Sequence, residues 1–132
     1  MKYLLDTNIV IGLSKGRAEV RSRLAQIPAQ ALLLSPVVLC ELEFGIAKSQ
    51  RPEANRAALA LLLANLPVAD FTAAVATHYG RIRATLEATG KPIGPNDLLI
   101  AAQALSLGAT LVTDNIREFT RVPGLSVENW LD

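Results

Sequence analysis

Short apolar runs that stop at a polar residue alternate with helix-length segments along this chain. The runs at residues 3–5 and 109–113 are each followed directly by an aspartate, and a third run, at residues 31–34, is cut by Ser35 and Pro36. Strands that are joined through helical crossovers form parallel sheets covered by helices on both faces. The pattern therefore predicts an α/β fold, a three-layer α/β/α sandwich around a mainly parallel sheet.

The segments between these runs predict the remaining elements. Further strands are expected at residues 66–71 and, as an edge strand, at 126–130, and helices at residues 37–48, 52–65, 72–89 and 97–107. The helix at 72–89 is amphipathic, whereas the helix at 97–107 is apolar on nearly every side and should be buried. Gly90 and Gly108 follow these two helices, as is typical of helix C-termini.

Composition narrows the class of protein. A length of 132 residues suits one domain, here residues 1–132, and 51% hydrophobic against 19% charged residues excludes a disordered chain. The apolar runs are too short for a membrane helix or a signal peptide, so a cytoplasmic protein is expected. A formal net charge of +1 provides no overall electrostatic field that would steer the protein toward nucleic acid. One cysteine and one histidine exclude a disulfide framework, a cysteine-based zinc site and a multi-histidine metal site.

Four acidic residues lie where an α/β fold collects its ligands. Asp6 and Asp114 follow strands, Asp97 is in the first turn of the buried helix, and Glu41 is early in the helix after the second strand. Open parallel sheets bind ligands beyond the carboxyl ends of their strands. Taken singly, each acid has a structural explanation, such as a helix cap, a favourable helix dipole or a turn. Taken together, neighbouring buried carboxylates need a cation, and oxygen ligands suit Mg²⁺ or Mn²⁺.

One of these positions has a rival. Glu41 and Glu43 are two residues apart on the same helix and point to nearly opposite sides, so only one of them can face a given pocket. Both have apolar neighbours, which leaves the choice between them open on helical periodicity.

Four motifs, in order, resemble the PIN-domain ribonucleases. They are LDTNI at residues 5–9, SPVVLCELEFG at 35–45, IGPNDLLIAA at 93–102 and LVTDNIREF at 111–119. Their order resembles that of the VapC-type toxins of bacterial toxin–antitoxin pairs, most closely the members that cleave initiator tRNA. The resemblance implies a Mg²⁺-dependent endoribonuclease, with Mn²⁺ as a substitute. It also implies a homodimer, without membrane attachment, that a cognate VapB-type antitoxin neutralises.

The resemblance also implies roles for individual residues. Asp6, Glu41 and Asp97 correspond to the family's metal-binding catalytic acids, and Asp114 to a fourth position where asparagine also occurs. Glu41 is preferred to Glu43 because Leu42 and Gly45 follow it at the family's spacing. The residues expected to hold these metal-binding side chains in position are Asn8, Thr113 and Asn115. Some members carry a further acid where this chain has Thr120, so no extra ligand is expected there.

A mechanism follows from this chemistry. A Mg²⁺ ion held by carboxylates can polarise a phosphate oxygen and orient a water molecule, while one acid, here Glu41, accepts the proton of that water. RNA must be held by basic residues around the acidic centre, for which the candidates are Arg81, Arg83, Lys91 and Arg117. His78, Cys40, Phe119 and Trp130 are expected to serve packing, with Cys40 in the core.

Two other functions fit parts of the sequence. A PIN-like module that binds RNA or a partner without cutting would retain the fold, although the presence of all four acids argues against it. A phosphoacceptor receiver domain would also have an acidic pocket, but it requires an aspartate after the middle strand, for which only Asp70 is available. It also requires a lysine at the end of a later strand, and Lys91 lies between two predicted helices.

Overall fold

The computed structural model describes residues 1–131, in which short strands alternate with helices. The strands are β1 (Tyr3–Leu5), β2 (Leu32–Leu34), β3 (Thr110–Val112) and β4 (Val127–Glu128). The helices are α1 (Thr7–Ser14), α2 (Ala18–Leu24), α3 (Pro36–Ala47), α4 (Pro52–Leu63), α5 (Ala73–Ala88), α6 (Pro95–Leu107) and the single turn α7 (Ile116–Phe119). A short 3-10 helix, Ala29–Ala31, precedes β2.

The four strands form one parallel sheet in the order β2-β1-β3-β4. Tyr3 of the central strand β1 lies opposite Leu32 on one side and Thr110 on the other. The chain leaves β1 toward β2 on one side and leaves β3 toward β4 on the other. A topological switch point therefore lies between the carboxyl ends of β1 and β3, which is where open α/β sheets bind ligands.

The structure confirms the predicted fold class and most of the predicted helices. The helix predicted over residues 97–107 begins at Pro95, because Gly94 is extended and proline suits the first turn of a helix. It ends at Gly108, whose φ of 62° lies in the left-handed region that glycine adopts without strain. As its composition indicates, α6 is buried along most of its length.

The prediction of a strand over residues 66–71 is wrong in its extent. Only one parallel bridge forms there, between Val68 and Leu34 at the edge of the sheet beyond β2. The carbonyl groups that follow accept hydrogen bonds from a side chain and not from a neighbouring strand. Nε2 of the buried Gln103 donates to the carbonyls of Ala69 (3.0 Å) and Asp70 (3.3 Å). Asp70 is exposed at this edge, so it forms no central acidic pocket of the kind a receiver domain requires.

The core fills both sides of the sheet. Leu4, Leu5, Leu111 and Val112 are fully buried, which explains why these strands are apolar at consecutive positions. Phe119 and Trp130 are also buried, which confirms their predicted packing role.

The prediction that Cys40 belongs to the core is wrong. Cys40 is exposed on α3, where the buried residues are Val37, Val38 and Ile46. Within residues 1–131, none of the helices combines the length and apolar character needed to cross a bilayer.

Candidate active site

Asp6 lies at the switch point and is held from both sides. It follows β1 and caps α1, and its Oδ1 accepts a hydrogen bond from the backbone N–H of Thr7 at 2.8 Å. Its Oδ2 accepts a hydrogen bond from the hydroxyl of Thr113, the residue after β3, at 2.7 Å. Two adjacent parallel strands thus fix one carboxylate between their ends.

Burial governs the acidity of Asp6. The residue is 8% exposed, and loss of solvation raises its pKa above the usual value. The hydrogen bonds from Thr113 and Thr7 act in the opposite direction, while the charges of Asp114 and Glu118 raise the pKa further. Because the pKa of Asp6 is raised on balance, its ionised form is disfavoured in the folded protein. A nearby cation would offset this cost in free energy.

The structure orients Glu41 and Glu43 differently. Oε1 of Glu41 accepts a hydrogen bond from the hydroxyl of Thr7 at 3.1 Å, which brings Glu41 next to Asp6. Glu43 is exposed and forms an ion pair with Arg56 of α4 at 2.9 Å. The packing of α3 against α1 and α6 therefore directs Glu41, and not Glu43, toward the switch point.

Asp97 is the most strongly perturbed acid of the group. It is partly buried in the first turn of α6, and its pKa is raised to about 7. Burial is the largest cause, followed by the charge of Glu118, a hydrogen bond with Glu118, and the charges of Asp6 and Glu41. The carboxylates of β1, α3, α6 and α7 are thus close enough to repel one another.

Glu118, on α7, is an acid of this cluster that the sequence did not single out. Its Oε1 accepts a hydrogen bond from the backbone N–H of Gly94 at 2.6 Å, and its Oε2 accepts one from Nδ2 of Asn115 at 3.0 Å. Burial alone would raise its pKa, but the hydrogen bonds from Gly94, Asn115 and Asp97 hold the pKa below the usual value. Glu118 is therefore the ionised partner of Asp97.

The sequence contained a signal for this residue. Glu118 follows Asn115 by three positions, so a single helical turn after β3 is enough to bring both side chains together. The resemblance directed attention to position 120, where the chain has threonine. The additional carboxylate comes instead from Glu118, which α7 turns toward α6.

Asp114 lies at the rim of the cluster. It is exposed, and its Oδ1 accepts a hydrogen bond from Nδ2 of Asn8 at 3.1 Å. The hydroxyl of Thr113 also accepts a hydrogen bond from the backbone N–H of Asn115 at 3.0 Å. The three residues expected to support the ligands therefore each bond to an acid of the cluster: Asn8 to Asp114, Thr113 to Asp6 and Asn115 to Glu118.

The donor chemistry of the cluster fits a hard divalent cation. Its side chains offer oxygen atoms without nitrogen or sulfur, which suits Mg²⁺ or Mn²⁺ better than zinc. Within residues 1–131, no group of three or more acidic, histidine or cysteine side chains stands at metal-ligand geometry. Burial and, to a smaller extent, the charges of neighbouring acids raise the pKa values of Asp6 and Asp97, and a bound cation would favour their ionised forms.

The basic side chains predicted to hold RNA are exposed on the surface. The exposed residues among the candidates for holding RNA are Arg81, Arg83, Lys91 and Arg117. Nη1 of Arg121 donates a hydrogen bond to the carbonyl of Pro92 at 3.0 Å, which adds a cation beside the loop that leads to Asp97.

Glu118→Gln is expected to reduce any metal-dependent activity of this site by about tenfold or more. The neutral amide removes a charge from the cluster and places an N–H group opposite the donating amide of Asn115. Initial rates at saturating Mg²⁺ measure the effect, and circular dichroism checks the fold. Glu53→Gln, an exposed change on α4, is the matched control, and equal rates for the two variants would contradict a role for Glu118.

The chain matches a protein family across nearly its full length. The family model described as PIN domain matches residues 3–125. Among characterised proteins, the chain is 45% identical over 131 residues to the tRNA(fMet)-specific endonuclease VapC of Shigella flexneri, with 98% of each chain covered. It is 42% identical over 132 residues to Ribonuclease VapC2 of Rickettsia felis, again with 98% of each covered.

The fold of the chain is also similar to that of solved structures over nearly its full length. The VapBC2 complex from Rickettsia felis, bound to a DNA fragment from its promoter, contains a chain with a TM-score of 0.92 and 41% identity. That match covers 98% of this chain and 99% of the other. VapBC-1 from nontypeable Haemophilus influenzae gives a TM-score of 0.92 at 39% identity, with both chains covered completely.

Proposed function

The chain belongs to the PIN-domain family, among its VapC endoribonucleases, and we propose that its substrate is initiator tRNA and its cation Mg²⁺. The observation that carries the proposal is the meeting of Asp6, Glu41, Asp97 and Glu118 from four separate elements. Burial of Asp97, followed by the charges of the other three acids, raises its pKa to about 7. Such a cluster is suited to holding a cation against a phosphate.

In this proposal the carboxylates have different roles in binding the cation and accepting a proton. Bound Mg²⁺ would supply Lewis acidity at the phosphate and would be held by Asp6, Asp97 and Glu118, with Asp114 at the rim. Thr113 and Thr7 keep Asp6 in place through its two oxygens. Glu41 accepts the proton of the attacking water, because Thr7 engages its Oε1 and, among residues 1–131, its Oε2 has no hydrogen-bond partner.

The choice of substrate is supported by the relatives and by charge. The Shigella relative is named for its specificity toward tRNA(fMet), and a Salmonella typhimurium relative, 40% identical over 131 residues, carries the same name. The exposed Arg81, Arg83, Lys91 and Arg117 could bind phosphates around the acidic centre. We place the protein in the cytoplasm, where its substrate is found, as a single domain that pairs as a homodimer.

An apolar groove supports binding of a VapB-type antitoxin. A cavity of about 380 Å³ lies between α1, α3 and α4, and its lining includes Val10, Leu42, Ile46 and Leu59. Glu41 is among the residues that line this groove, so a segment seated in the groove would contact the carboxylate cluster. A partner bound there would cover apolar surface and block the substrate at the same time.

The test is RNA cleavage by the purified chain, free of any partner. Initiator tRNA, elongator tRNAs and total RNA are each incubated with Mg²⁺, with Mn²⁺ and with a chelator. We expect discrete cuts in initiator tRNA that require a divalent cation and that added antitoxin suppresses. Equal cleavage of all tRNAs would overturn the substrate assignment, and cleavage in the chelator would overturn the role of the cation. Metal binding without cleavage of any RNA would favour a non-cutting RNA-binding module.

A further inference from the structure

A second cavity lies next to the catalytic carboxylates on the side of α5. It has a volume of about 270 Å³ and lies between α5, the α5–α6 loop and the first turn of α6. We call it the α5–α6 pocket, and the residues that line it include Tyr79, Arg83, Leu86, Ile93, Pro95 and Leu98.

The α5–α6 pocket shares a wall with the carboxylate cluster. Ile93 and Pro95 line the pocket, and Gly94 between them donates its N–H to Glu118 at 2.6 Å. A Cβ atom added to Gly94 would lie 3.7 Å from Oδ2 of Asp97 and from Oε1 of Glu118. A group in the pocket would therefore be separated from the catalytic carboxylates by the thickness of one loop.

The chemistry of the pocket suits a flat, partly polar ring. Its floor is apolar, because Leu86, Ile93 and Leu98 are buried beneath it. At its mouth, Nη1 of Arg83 donates to the hydroxyl of Tyr79 at 2.9 Å, and the guanidinium lies 6.0 Å from the centre of the tyrosine ring. Unpaired RNA bases are commonly held by stacking on aromatic rings and on arginine guanidinium planes.

Charge at the mouth of the pocket is complementary to RNA. Arg83 forms an ion pair with Glu87 at 2.8 Å through Nε, and among residues 1–131 its Nη2 has no acceptor. Lys91 is exposed in the loop beside it, and Arg121 is tied to the carbonyl of Pro92, which also lines the pocket. Arg83 and Lys91 against the single carboxylate of Glu87 favour a ligand that brings phosphate with its ring.

We propose that the α5–α6 pocket holds an unpaired nucleobase of the RNA, next to the phosphate that is cut, and that Arg83 and Tyr79 clamp it. The inference rests on the proposed function, because it assigns a subsite to the same RNA. It gives the enzyme a positioning contact beyond the carboxylates, which would align one phosphate among many over Asp97. Recognition by stacking is sequence-tolerant, so the pocket selects an unpaired, accessible base more than a particular one.

The first test is the kinetics of Arg83→Gln on a stem-loop oligonucleotide that spans the mapped cut. We expect KM to rise by about tenfold while kcat stays within about twofold, because the residue binds substrate away from the reacting atoms. Arg17→Gln is the matched control, since Arg17 forms a similarly exposed pair with Glu19 at the start of α2. Tyr79→Phe keeps the ring and removes the acceptor for Arg83, and a smaller rise in KM is expected.

The second test removes the base instead of the side chain. Single abasic positions are placed in turn on each side of the cut, and one of them should raise KM of the wild type by about tenfold. On that RNA, Arg83→Gln should add little further, because both changes remove the same contact.

The outcomes separate this proposal from the proposed function. If the wild type cuts the RNA and Arg83→Gln behaves like Arg17→Gln, the pocket proposal fails and the proposed function stands. Additive effects of Arg83→Gln at every abasic position would also overturn the pocket proposal. If the wild type cuts no RNA in Mg²⁺, the proposed function fails and the pocket proposal fails with it.

Discussion

Asp97→Asn is expected to reduce RNA cleavage by about a hundredfold to a thousandfold, which corresponds to ~3–4 kcal/mol of transition-state stabilisation. The substitution keeps the shape of the side chain in the first turn of α6 and removes one negative charge from the cluster. Cleavage rates under single-turnover conditions measure the loss. Asp70→Asn, an exposed change of the same chemistry at the sheet edge, is the control that should leave the rate unchanged.

The same variant should be at least as stable as the wild type, which separates a functional defect from a folding defect. The pKa of Asp97 is about 7 in the folded protein, whereas the ordinary value of an aspartate is 3.8. Ionisation of Asp97 therefore opposes folding, so its contribution to stability is full below about pH 4 and is lost as the pH rises through about 7.

Urea unfolding in the presence of a chelator tests this expectation. Between pH 4 and pH 8, the free energy of unfolding of the wild type should fall relative to that of Asp97→Asn. The half-buried position reduces the effect to about 1–2 kcal/mol. Added Mg²⁺ should stabilise the wild type more than the variant. Cleavage by Asp97→Asn at the wild-type rate would refute the assignment of this site.

Phe119→Ala is expected to destabilise the protein by about 3–5 kcal/mol, a large share of the total stability of a domain of this size. Phe119 is 0% exposed, and its truncation leaves a cavity beneath α7. Because Glu118 precedes it directly, loss of this anchor should also release the carboxylate that bonds Gly94. Cleavage at low temperature should therefore fall by more than the unfolded fraction explains.

Two further substitutions test whether this loss of stability comes from the buried ring of Phe119. Phe119→Leu keeps most of the volume and should cost less than about 1.5 kcal/mol. Phe44→Ala removes the same group at a position that is 65% exposed, and its effect should stay within about 0.5 kcal/mol. Equal unfolding free energies for Phe119→Ala and Phe44→Ala would show that Phe119 does not anchor α7.

The assignment of Asp6 and Asp114 to one edge of the sheet followed from local patterns. An acid directly after an apolar run must lie at the carboxyl end of a strand, whichever sheet that strand joins. The apolar surface of residues 98–104 likewise requires that their helix be buried, and it is buried in α6. Such features were predictable because their physical cause lies within a few residues of the chain.

Other features depend on contacts between distant parts of the chain. The strand predicted at residues 66–71 is reduced to a bridge because Gln103, more than 30 residues later, occupies its carbonyl groups. The orientation of Glu41 depends on Thr7, and the place of Glu118 depends on Gly94, 24 residues before it. Helical periodicity could not decide these points, because which face is buried depends on the packing partner.

Local patterns in the chain were thus sufficient to predict the fold class, most of the longer helices and the carboxylates that follow strands at the sheet edge. The folded chain shows in addition which acids meet there, that Glu118 is among them, and that a pocket beside Arg83 adjoins them. The physical reason is that local propensity and apolar patterning act over one turn or one strand. Burial, charge repulsion and hydrogen bonding in a site are set by residues that only the folded chain brings together.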